Sequence, residues 1–546
     1  MGKKIFLVSF FAVFFLLVDF FPAAAVGEPE ECTVLIAGKK TTADRSILFV
    51  KSEDDGPKEV DFLWYVPRKI HEPGSVVKLK TGGTIPQVKE TYAYFWDQCP
   101  NTAYSNGIVN EWGVAFGSNG CISKEDSAKE VEARGDLVNG GLGFMLRIIL
   151  AERAKTAREA VEIAANLLDK YGYNASGRNL NIVGPNDAWQ LQMVRGKNYV
   201  ARRVRDDEVA IIANTFSIRG VDMNDKKNFI CSPRLISYAV KRGWYDPQKD
   251  GTFDFAKAYA PEQAHKRPGN TFRQWMMAKL LNKNFPLSPE ESTQGLMPVS
   301  VKPDRKLSLK DVMTIFRNHY ERTALDKSGF TQTKEYETSP HKTGSTICNY
   351  GTHRTTVVQQ RGWLPPAIGT VVWRALDEPC SSGFVPWYLG ATDIPEPFRK
   401  APESFYTTQR DLLDYHFKPM AETWDLGADL ESASGVFTHL GRMVDANYNR
   451  VIHYVKKEWQ TFEDRAFALQ PAVEKTAMEL YKKDKTLAAE YLNLYTTAQA
   501  LMSIKKAKEM LKTIKDTLWT GRDRIRAVVK VDPTVYICIL RILKSP

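Results

Sequence analysis

The sequence predicts an α+β chain with antiparallel strands in its first part and a mainly helical C-terminal region. Short apolar alternations separated by turn residues run from residue 32 to about residue 131 and again over 179–216, which is typical of antiparallel strands. From about Glu403 to Asp523 the chain is charged, helically periodic and poor in turn breakers. We therefore place a domain or subdomain change near residue 400.

The N-terminal residues predict a secretory signal segment over 1–25. Two lysines are followed by an apolar stretch from Ile5 to Val18 and by the small residues Ala23 to Ala25, which suit signal cleavage. The apolar stretch is short for a membrane span. We expect cleavage after Ala25, a propeptide over 26–31, and a secreted or periplasmic protein with no stable membrane insertion.

Cys32 follows this segment and opens a predicted β-hairpin. A turn centred near Thr41 and Thr42 would place Lys51 about opposite Cys32, with Asp54 just past it. If cleavage makes Cys32 the first residue, its α-amine lies beside its thiol and can serve as the base that activates it. This is the arrangement of an N-terminal nucleophile hydrolase. A buried structural cysteine is the alternative interpretation.

Helices and further strands are predicted after the hairpin region. One helix is expected from about Leu142 to Arg153, and a second begins at the capping box Thr156 to Glu159 and runs to about Tyr171. Residues 230–335 are mixed helix and loop. A four-stranded β-meander and two later strands are predicted over 179–183, 188–194, 199–204 and 209–214, and then around 346–360 and 369–375.

Composition and spacing argue against several classes of protein. The formal charge of +11 is spread through the chain, and the richest basic stretch, Lys505 to Lys530, is mixed with acids, so we expect no nucleic-acid partner. Seven cysteines in 546 residues do not make a disulfide scaffold. Cys99 with Cys121 and Cys348 with Cys380 are the local candidates for bridges, and the pairing stays open. CxxC, HExxH and clustered histidines are absent, so we expect neither a metal site nor a cofactor.

Six further stretches carry a resemblance to a known family. They are Asn110 to Val114, Leu150 to Val161, Ala188 to Asn214, Gly351 to Arg354, Arg361 to Pro365 and Val385 to Gly390. Together with the hairpin, they resemble the cysteine dipeptidases of the dipeptidase A type, relatives of secernins, penicillin V acylases and bile salt hydrolases, over about residues 32–520. The resemblance implies an αββα N-terminal nucleophile hydrolase sandwich of antiparallel sheets over 32–400, with a mainly helical region over 401–546.

The resemblance also implies roles for five residues. Cys32 would be the nucleophile that forms a thioester, and Asp54 would hold its α-amine by a charge-assisted hydrogen bond. Asn110 and Asn214 would line the oxyanion site, where fixed amide donors stabilise the developing charge. Lys51 stands where the family more usually has arginine, so it keeps a positive charge but lacks the guanidinium fork.

The leading functional interpretation is a secreted cysteine dipeptidase that hydrolyses unblocked dipeptides. The alternatives are an acylase that cleaves N-acyl amides of the penicillin V or bile salt type, or a non-catalytic secernin-like protein. Arg234 and Arg273 are both candidates for the downstream arginine that related acylases use. The preferred dipeptide, a homo-oligomer and the role of the tail after about Arg522 stay open.

Overall fold

The computed structural model describes residues 32–54, 62–79, 81–98, 107–295, 297–326, 328, 338–343, 345–399 and 430–520. The predicted signal segment, the propeptide, the domain change near residue 400 and the tail after Arg522 lie outside these residues, as does Cys99. Among the helices that the structure describes, none is both long and apolar enough to cross a membrane.

All the strands that the structure describes lie in the first 390 residues. In chain order they are β1 Thr33–Ala37, β2 Ile47–Glu53, β3 Phe62–Val66, β4 Lys69–Ile70, β5 Val76–Lys78, β6 Thr84–Pro86, β7 Glu90–Thr91, β8 Tyr94–Gln98, β9 Ile108–Asn110, β10 Ala115–Gly120, β11 Arg178–Val183, β12 Ala188–Met193, β13 Tyr199–Val204, β14 Val209–Ile212, β15 Phe229–Cys231, β16 Ser300–Val301, β17 Arg354–Gln360, β18 Thr370–Leu376 and β19 Val385–Tyr388.

The helices are short in the first part of the chain and long near its end. They are α1 Ala128–Ala133, α2 Leu146–Arg153, α3 Ala157–Tyr171, α4 Leu235–Lys241, α5 Phe255–Tyr259, α6 Glu262–Lys266, α7 Pro268–Leu281, α8 Pro289–Ser292, α9 Leu309–Phe316, α10 Pro366–Gly369, α11 Glu396–Arg399, α12 Ala433–Ala446, α13 Tyr448–Lys483 and α14 Lys485–Thr520, with a 3-10 turn at Pro340–Thr343. The predicted N-cap of α3 is present, because the Thr156 side chain accepts a hydrogen bond from the Glu159 amide at 3.1 Å.

Two antiparallel sheets form the centre of the molecule. The first has the order β16-β14-β1-β2-β17-β18-β19, and the second has the order β15-β13-β12-β11-β10-β9-β8-β3. The prediction of a four-stranded meander is therefore wrong at its last strand, because β14 leaves β13 and pairs with β1 in the other sheet. All four residues of β14 are fully buried, as suits an inner strand covered on both faces.

The alternation of side chains along β1 defines the layers. Val34 and Ile36 pack between the two sheets, together with residues such as Val183 of the second sheet. Leu35 and Ala37 point the other way, into a core shared with the helical layer that covers the first sheet. The second sheet packs its outer face on α2 and α3. The chain is thus an αββα sandwich, which confirms the predicted fold class.

The described part of the C-terminal region is helical, as predicted. Apolar residues of α13 and α14, including Ala466 and Leu492, join the core on the outer face of the first sheet. Residues of α12, α13 and α14 also pack around Trp387 of β19. This helical layer therefore covers the first sheet together with α7 and α9.

The first hairpin pairs two residues away from the predicted register. Thr33 lies opposite Ser52 and Val34 lies opposite Lys51, so the register extended by one residue sets Cys32 opposite Glu53. The turn centre lies one residue later than predicted. Because moving the centre of a hairpin by one residue changes the partner of every strand residue by two, Cys32 faces Glu53 instead of Lys51. A shift of two keeps every side chain on its face, so Lys51 stays on the face of Cys32 as a diagonal neighbour.

Candidate active site

Cys32 is buried at the start of β1, with only 2% of its surface exposed. Its thiol points at the carboxylate of Glu53, with 3.5 Å between Sγ and Oε1. Its carbonyl oxygen accepts hydrogen bonds from Asn119 Nδ2 at 2.9 Å and from Arg273 Nη1 at 3.0 Å. The thiol therefore contacts a residue of the neighbouring strand β2, and the carbonyl is held by polar side chains of two other elements.

Arg273 joins β1, β14 and α7 at this point. Besides the Cys32 carbonyl, its guanidinium donates to four other acceptors. They are Thr33 Oγ1 at 2.9 Å, Asn214 Oδ1 at 2.9 Å, Asn270 Oδ1 at 3.1 Å and the Gly269 carbonyl at 2.7 Å. These bonds engage all three guanidinium nitrogens, and the residue is fully buried. Of the two predicted candidates, Arg273 is thus the arginine that the fold brings to Cys32.

Arg234 lies elsewhere. It is the N-cap residue of α4, and its guanidinium pairs with Asp136, with 2.6 Å between Nη2 and Oδ2. Its side chain is 38% exposed. It therefore contributes to an ion pair near the surface rather than to the surroundings of Cys32.

A chain of buried amides fixes the orientation of Asn119. Gln192 donates to Asn179 Oδ1 at 3.3 Å, Asn179 to Asn181 Oδ1 at 3.0 Å, and Asn181 to Asn119 Oδ1 at 3.1 Å. Because each amide donates in the same direction, the last one turns its NH₂ group toward the Cys32 carbonyl. These side chains lie on strands of the second sheet and reach across to the first.

Asp54 lies just beyond β2, and two hydroxyl groups hold it. Ser52 Oγ donates to Asp54 Oδ2 at 2.9 Å, and Thr352 Oγ1 donates to Oδ1 at 2.6 Å. Burial raises the pKa of Asp54 to about 7, while these two hydrogen bonds and two nearby cations lower it. Ser52 also accepts the Thr33 amide at 3.2 Å, so one hydroxyl separates Asp54 from the start of β1.

Lys51 takes part in a buried chain of charges. Its ammonium pairs with Glu53 Oε2, and Arg354 approaches the same oxygen at 3.5 Å. Glu53, the carboxylate that accepts from the thiol, is therefore flanked by two cations. These cations offset the negative charge that Glu53 places beside the thiol.

Asn214 lies two residues beyond the end of β14, and its side chain carries an amide donor without a partner in the structure. Its Oδ1 accepts from Arg273, but its Nδ2 is buried and has no hydrogen-bond partner in the structure. A buried donor left unpaired costs about 1–3 kcal/mol, so such a group in a native site calls for an explanation. A substrate oxygen that accepts this bond would provide one.

Asn110 does not join this group, which corrects the sequence-based assignment. Its Nδ2 donates to the carbonyls of Ala151 and Ala154 at 3.0 and 2.7 Å, and its Oδ1 accepts two backbone amides of its own turn. It lies near the Ala115 end of β10, whereas Asn119 lies about 13 Å further along that strand at 3.3 Å per residue. Asn110 therefore ties a turn to α2, and Asn119 contacts Cys32.

A cleft of about 420 Å³ lies beside Asn214. Its wall includes Glu125, Arg195 and Arg267 as well as Asn214. Glu125 Oε2 is buried without a hydrogen-bond partner in the structure, and burial raises the pKa of this carboxyl. The cleft thus offers one carboxylate and two guanidinium groups to a small ligand next to the candidate active site.

The site contains residues that sequence reasoning missed. Glu53 would have been found by a turn centre one residue later, since it then lies opposite Cys32. Asn119 lies on β10, which pairs with the strand that ends at Asn110, but an asparagine near a strand end carries no distinctive sequence signal. Ser52 holds Asp54 from two residues away, but Thr352 is 298 residues away in sequence, and no local pattern predicts its contact with Asp54.

Comparison with protein families gives a match over most of the chain. Residues 31–417 match the model of Peptidase_C69, peptidase family C69. A "Probable dipeptidase" from Latilactobacillus sakei is 28% identical over 382 residues, which cover 69% of this chain and 78% of that protein. A "Probable dipeptidase" from Salmonella dublin is 25% identical over 370 residues, covering 67% of this chain and 82% of that protein.

A penicillin V acylase structure from Agrobacterium tumefaciens is more distantly similar. It shares 12% sequence identity, with a TM-score of 0.32, over 65% of this chain and 86% of that chain. At that score the likeness carries no weight for function.

The raised pKa of Asp54 predicts a pH-dependent contribution to stability in the Cys32→Ala protein. Because the folded pKa of about 7 lies above the ordinary value of about 3.9, the folded state binds more protons than the unfolded state between these values. The contribution of Asp54 to the free energy of unfolding therefore falls as pH rises through this window. Asp54→Asn should become relatively more stable from about pH 5 to about pH 8, measured by urea unfolding.

Asp207→Asn is the matched control for this experiment, because the Asp207 side chain is 56% exposed. Its effect on unfolding free energy should not change over the same range. Equal pH dependence in the Asp54→Asn and parent proteins would contradict the burial of an acid with a raised pKa.

Proposed function

This chain belongs to peptidase family C69, and from that premise we propose that it is a secreted cysteine dipeptidase with Cys32 as its N-terminal nucleophile. The observation that supports the proposal best is the unpaired Nδ2 of Asn214, whose side chain is held by the same guanidinium that binds the Cys32 carbonyl. The curated relatives carry dipeptidase names, which supports dipeptides as the substrate class.

The proposed reaction begins once the bond between Glu31 and Cys32 has been cut. The freed α-amine, with an ordinary pKa of about 7.7–8.0, accepts the thiol proton, and the thiolate attacks the peptide carbonyl carbon. As the C–N bond breaks, the ammonium returns the proton to the leaving amino acid. Water then cleaves the thioester, which releases the second amino acid and restores the thiol.

Five side chains would support this chemistry. Asn214 Nδ2 would donate to the oxyanion, and Arg273 would keep the amide oxygen of Asn214 turned away from it. Asp54 would anchor the α-ammonium, whose positive charge in turn favours the ionised carboxylate. The cations Lys51 and Arg354 around Glu53 would offset a second negative charge next to the thiolate.

The cleft beside Asn214 supports the choice of unblocked dipeptides. A free dipeptide carries an ammonium group at one end and a carboxylate at the other. Glu125 Oε2 could receive the ammonium, and Arg195 or Arg267 could receive the carboxylate, since these side chains line the same cleft. An acylase for large apolar groups would need an apolar pocket instead.

Maturation is the first prediction from this proposal. The mature enzyme should begin at Cys32, because only then is the α-amine free to act as base. Cys32→Ala should keep residues that precede position 32 if the cut is autocatalytic, whereas Cys231→Ala should be processed normally. Intact-mass and N-terminal analysis measure both outcomes, and fully active protein that begins at Val26 would contradict the mechanism.

Asn214→Asp provides the second prediction, since aspartate keeps the acceptor for Arg273 but removes the amide donor. We expect kcat/KM to fall by about 10²–10³-fold, as on loss of an oxyanion donor. Asn110→Asp is the contrasting variant, and it should lower thermal stability while the folded enzyme keeps its turnover. Steady-state kinetics with thermal unfolding separate the two, and normal turnover by Asn214→Asp would remove Asn214 from the oxyanion site.

Substrate class provides the third prediction. Free dipeptides should be hydrolysed to two amino acids, while amidation of the C-terminal carboxylate or acylation of the amine should weaken turnover. Glu125→Gln should raise KM for free dipeptides and reduce the penalty for N-acylation, whereas Glu162→Gln on an exposed face of α3 should do neither. Amino acid release from a panel of these substrates tests this. Cleavage of penicillin V or long-chain acyl amides, with none of dipeptides, would favour the acylase alternative.

A further inference from the structure

Four buried side chains far from Cys32 in sequence converge on one point. They are His319 after α9, His341 in the 3-10 turn, Cys348 before β17 and Cys380 between β18 and β19. One ligand atom of each lies within 4.8 Å of the others, and all four residues are at most 5% exposed. We propose that they form a structural zinc site of the His₂Cys₂ type.

The separations between these atoms match a tetrahedral zinc centre. Zinc bonds of about 2.05 Å to nitrogen and about 2.3 Å to sulfur place two nitrogens about 3.3 Å apart and a nitrogen and a sulfur about 3.6 Å apart. The Nε2 atoms of His319 and His341 are 3.1 Å apart. His341 Nε2 lies 3.5 Å from the sulfur of Cys348 and 3.4 Å from that of Cys380.

Both histidine rings are oriented as metal ligands usually are. His319 Nδ1 lies 3.0 Å from Glu321 Oε1, and His341 Nδ1 lies 2.7 Å from Asp445 Oδ1. A carboxylate partner holds the ring proton on Nδ1, so that the Nε2 lone pair points inward. Two inward lone pairs beside two sulfurs repel each other in a buried site, and a cation between them removes that repulsion.

The two cysteines are free thiols in the structure, so the disulfide considered between Cys348 and Cys380 is not formed. Two sulfurs and two imidazole nitrogens in tetrahedral array select zinc over harder ions such as magnesium or calcium. The sequence spacing does not indicate this metal site, because successive ligands along the chain are separated by 22, 7 and 32 residues and form no short motif.

The loop that carries Cys380 is held in place from outside the cluster. Arg317 donates to the Pro379 carbonyl at 2.7 Å and to the Ser382 carbonyl at 3.0 Å, and Trp459 donates to the Ser381 carbonyl at 2.8 Å. A cleft of about 470 Å³, lined in part by Cys380 and Glu321, reaches the cluster and offers a path for an ion.

Zinc at this point would cross-link elements that the fold otherwise joins through loops. Its ligands come from four segments around the end of the first sheet, and Asp445 adds α12 through His341. The segment with Cys348 continues to Thr352, whose hydroxyl donates to Asp54. The ion would therefore stabilise the fold and support the position of Asp54 without taking part in the reaction.

The test measures metal in the full-length Cys32→Ala protein, so that its outcome does not depend on the proposed peptidase activity. After preparation with zinc, elemental analysis should find one zinc ion per chain. Cys348→Ser and Cys380→Ser should each lower zinc content more than tenfold and lower the thermal midpoint, whereas Cys231→Ser should do neither. Asp445→Asn should weaken zinc affinity about 10–100-fold, measured by competition with a chelator.

A cobalt spectrum keeps the proposal testable if the serine variants do not fold. Co²⁺ bound to the parent protein should give the intense bands of a tetrahedral site and the near-ultraviolet charge-transfer band of thiolate ligands. A protein without zinc, with no such cobalt spectrum, and with a mass that shows a Cys348–Cys380 disulfide would overturn the proposal.

Discussion

The arrangement around Cys32 depends on one buried guanidinium. Arg273 is fully buried and donates to acceptors on β1, on the end of β14 and within its own helix. The planar fork sets these acceptors at fixed angles, which an ammonium group on a flexible stem could not do. It thereby couples the start of β1 to Asn214, and these two segments come together because β14 pairs with β1 rather than with β13.

The thiol lies against a second constraint, a row of alternating buried charges. Each side chain in this row forms an ion pair with the next, and none is more than 4% exposed. In order, the members are Lys51, Glu53, Arg354, Asp97 and Arg374. Removing one member of such a row would leave an uncompensated buried charge, which is strongly destabilising. The row carries one more positive than negative charge, and its member that contacts the Cys32 thiol is Glu53.

Much of the fold could be predicted from local patterns, and the errors have physical causes. The hairpin, α3 and β11 to β13 follow from alternation, capping and turn residues, which act over a few positions. The partner of β14 could not be predicted this way, because its continuous apolar run fits either sheet. Within the candidate site, Cys32 is predicted from its position after the signal segment together with the resemblance to a family, and Asn214 from the resemblance alone. Asn119 and Arg273 act through contacts between distant strands and helices, and only the folded chain identifies their partners.

The amide chain from Gln192 to Asn119 has a consequence for how the site responds to its surroundings. The side-chain amides of this chain do not ionise in the pH range where proteins are stable, whereas histidine or carboxylate groups in the same places would. The direction of every dipole in the chain is therefore the same in an acidic compartment as in a neutral one. A change of pH can alter the charge of groups around Cys32, but the amide chain keeps the Asn119 NH₂ group directed at the Cys32 carbonyl.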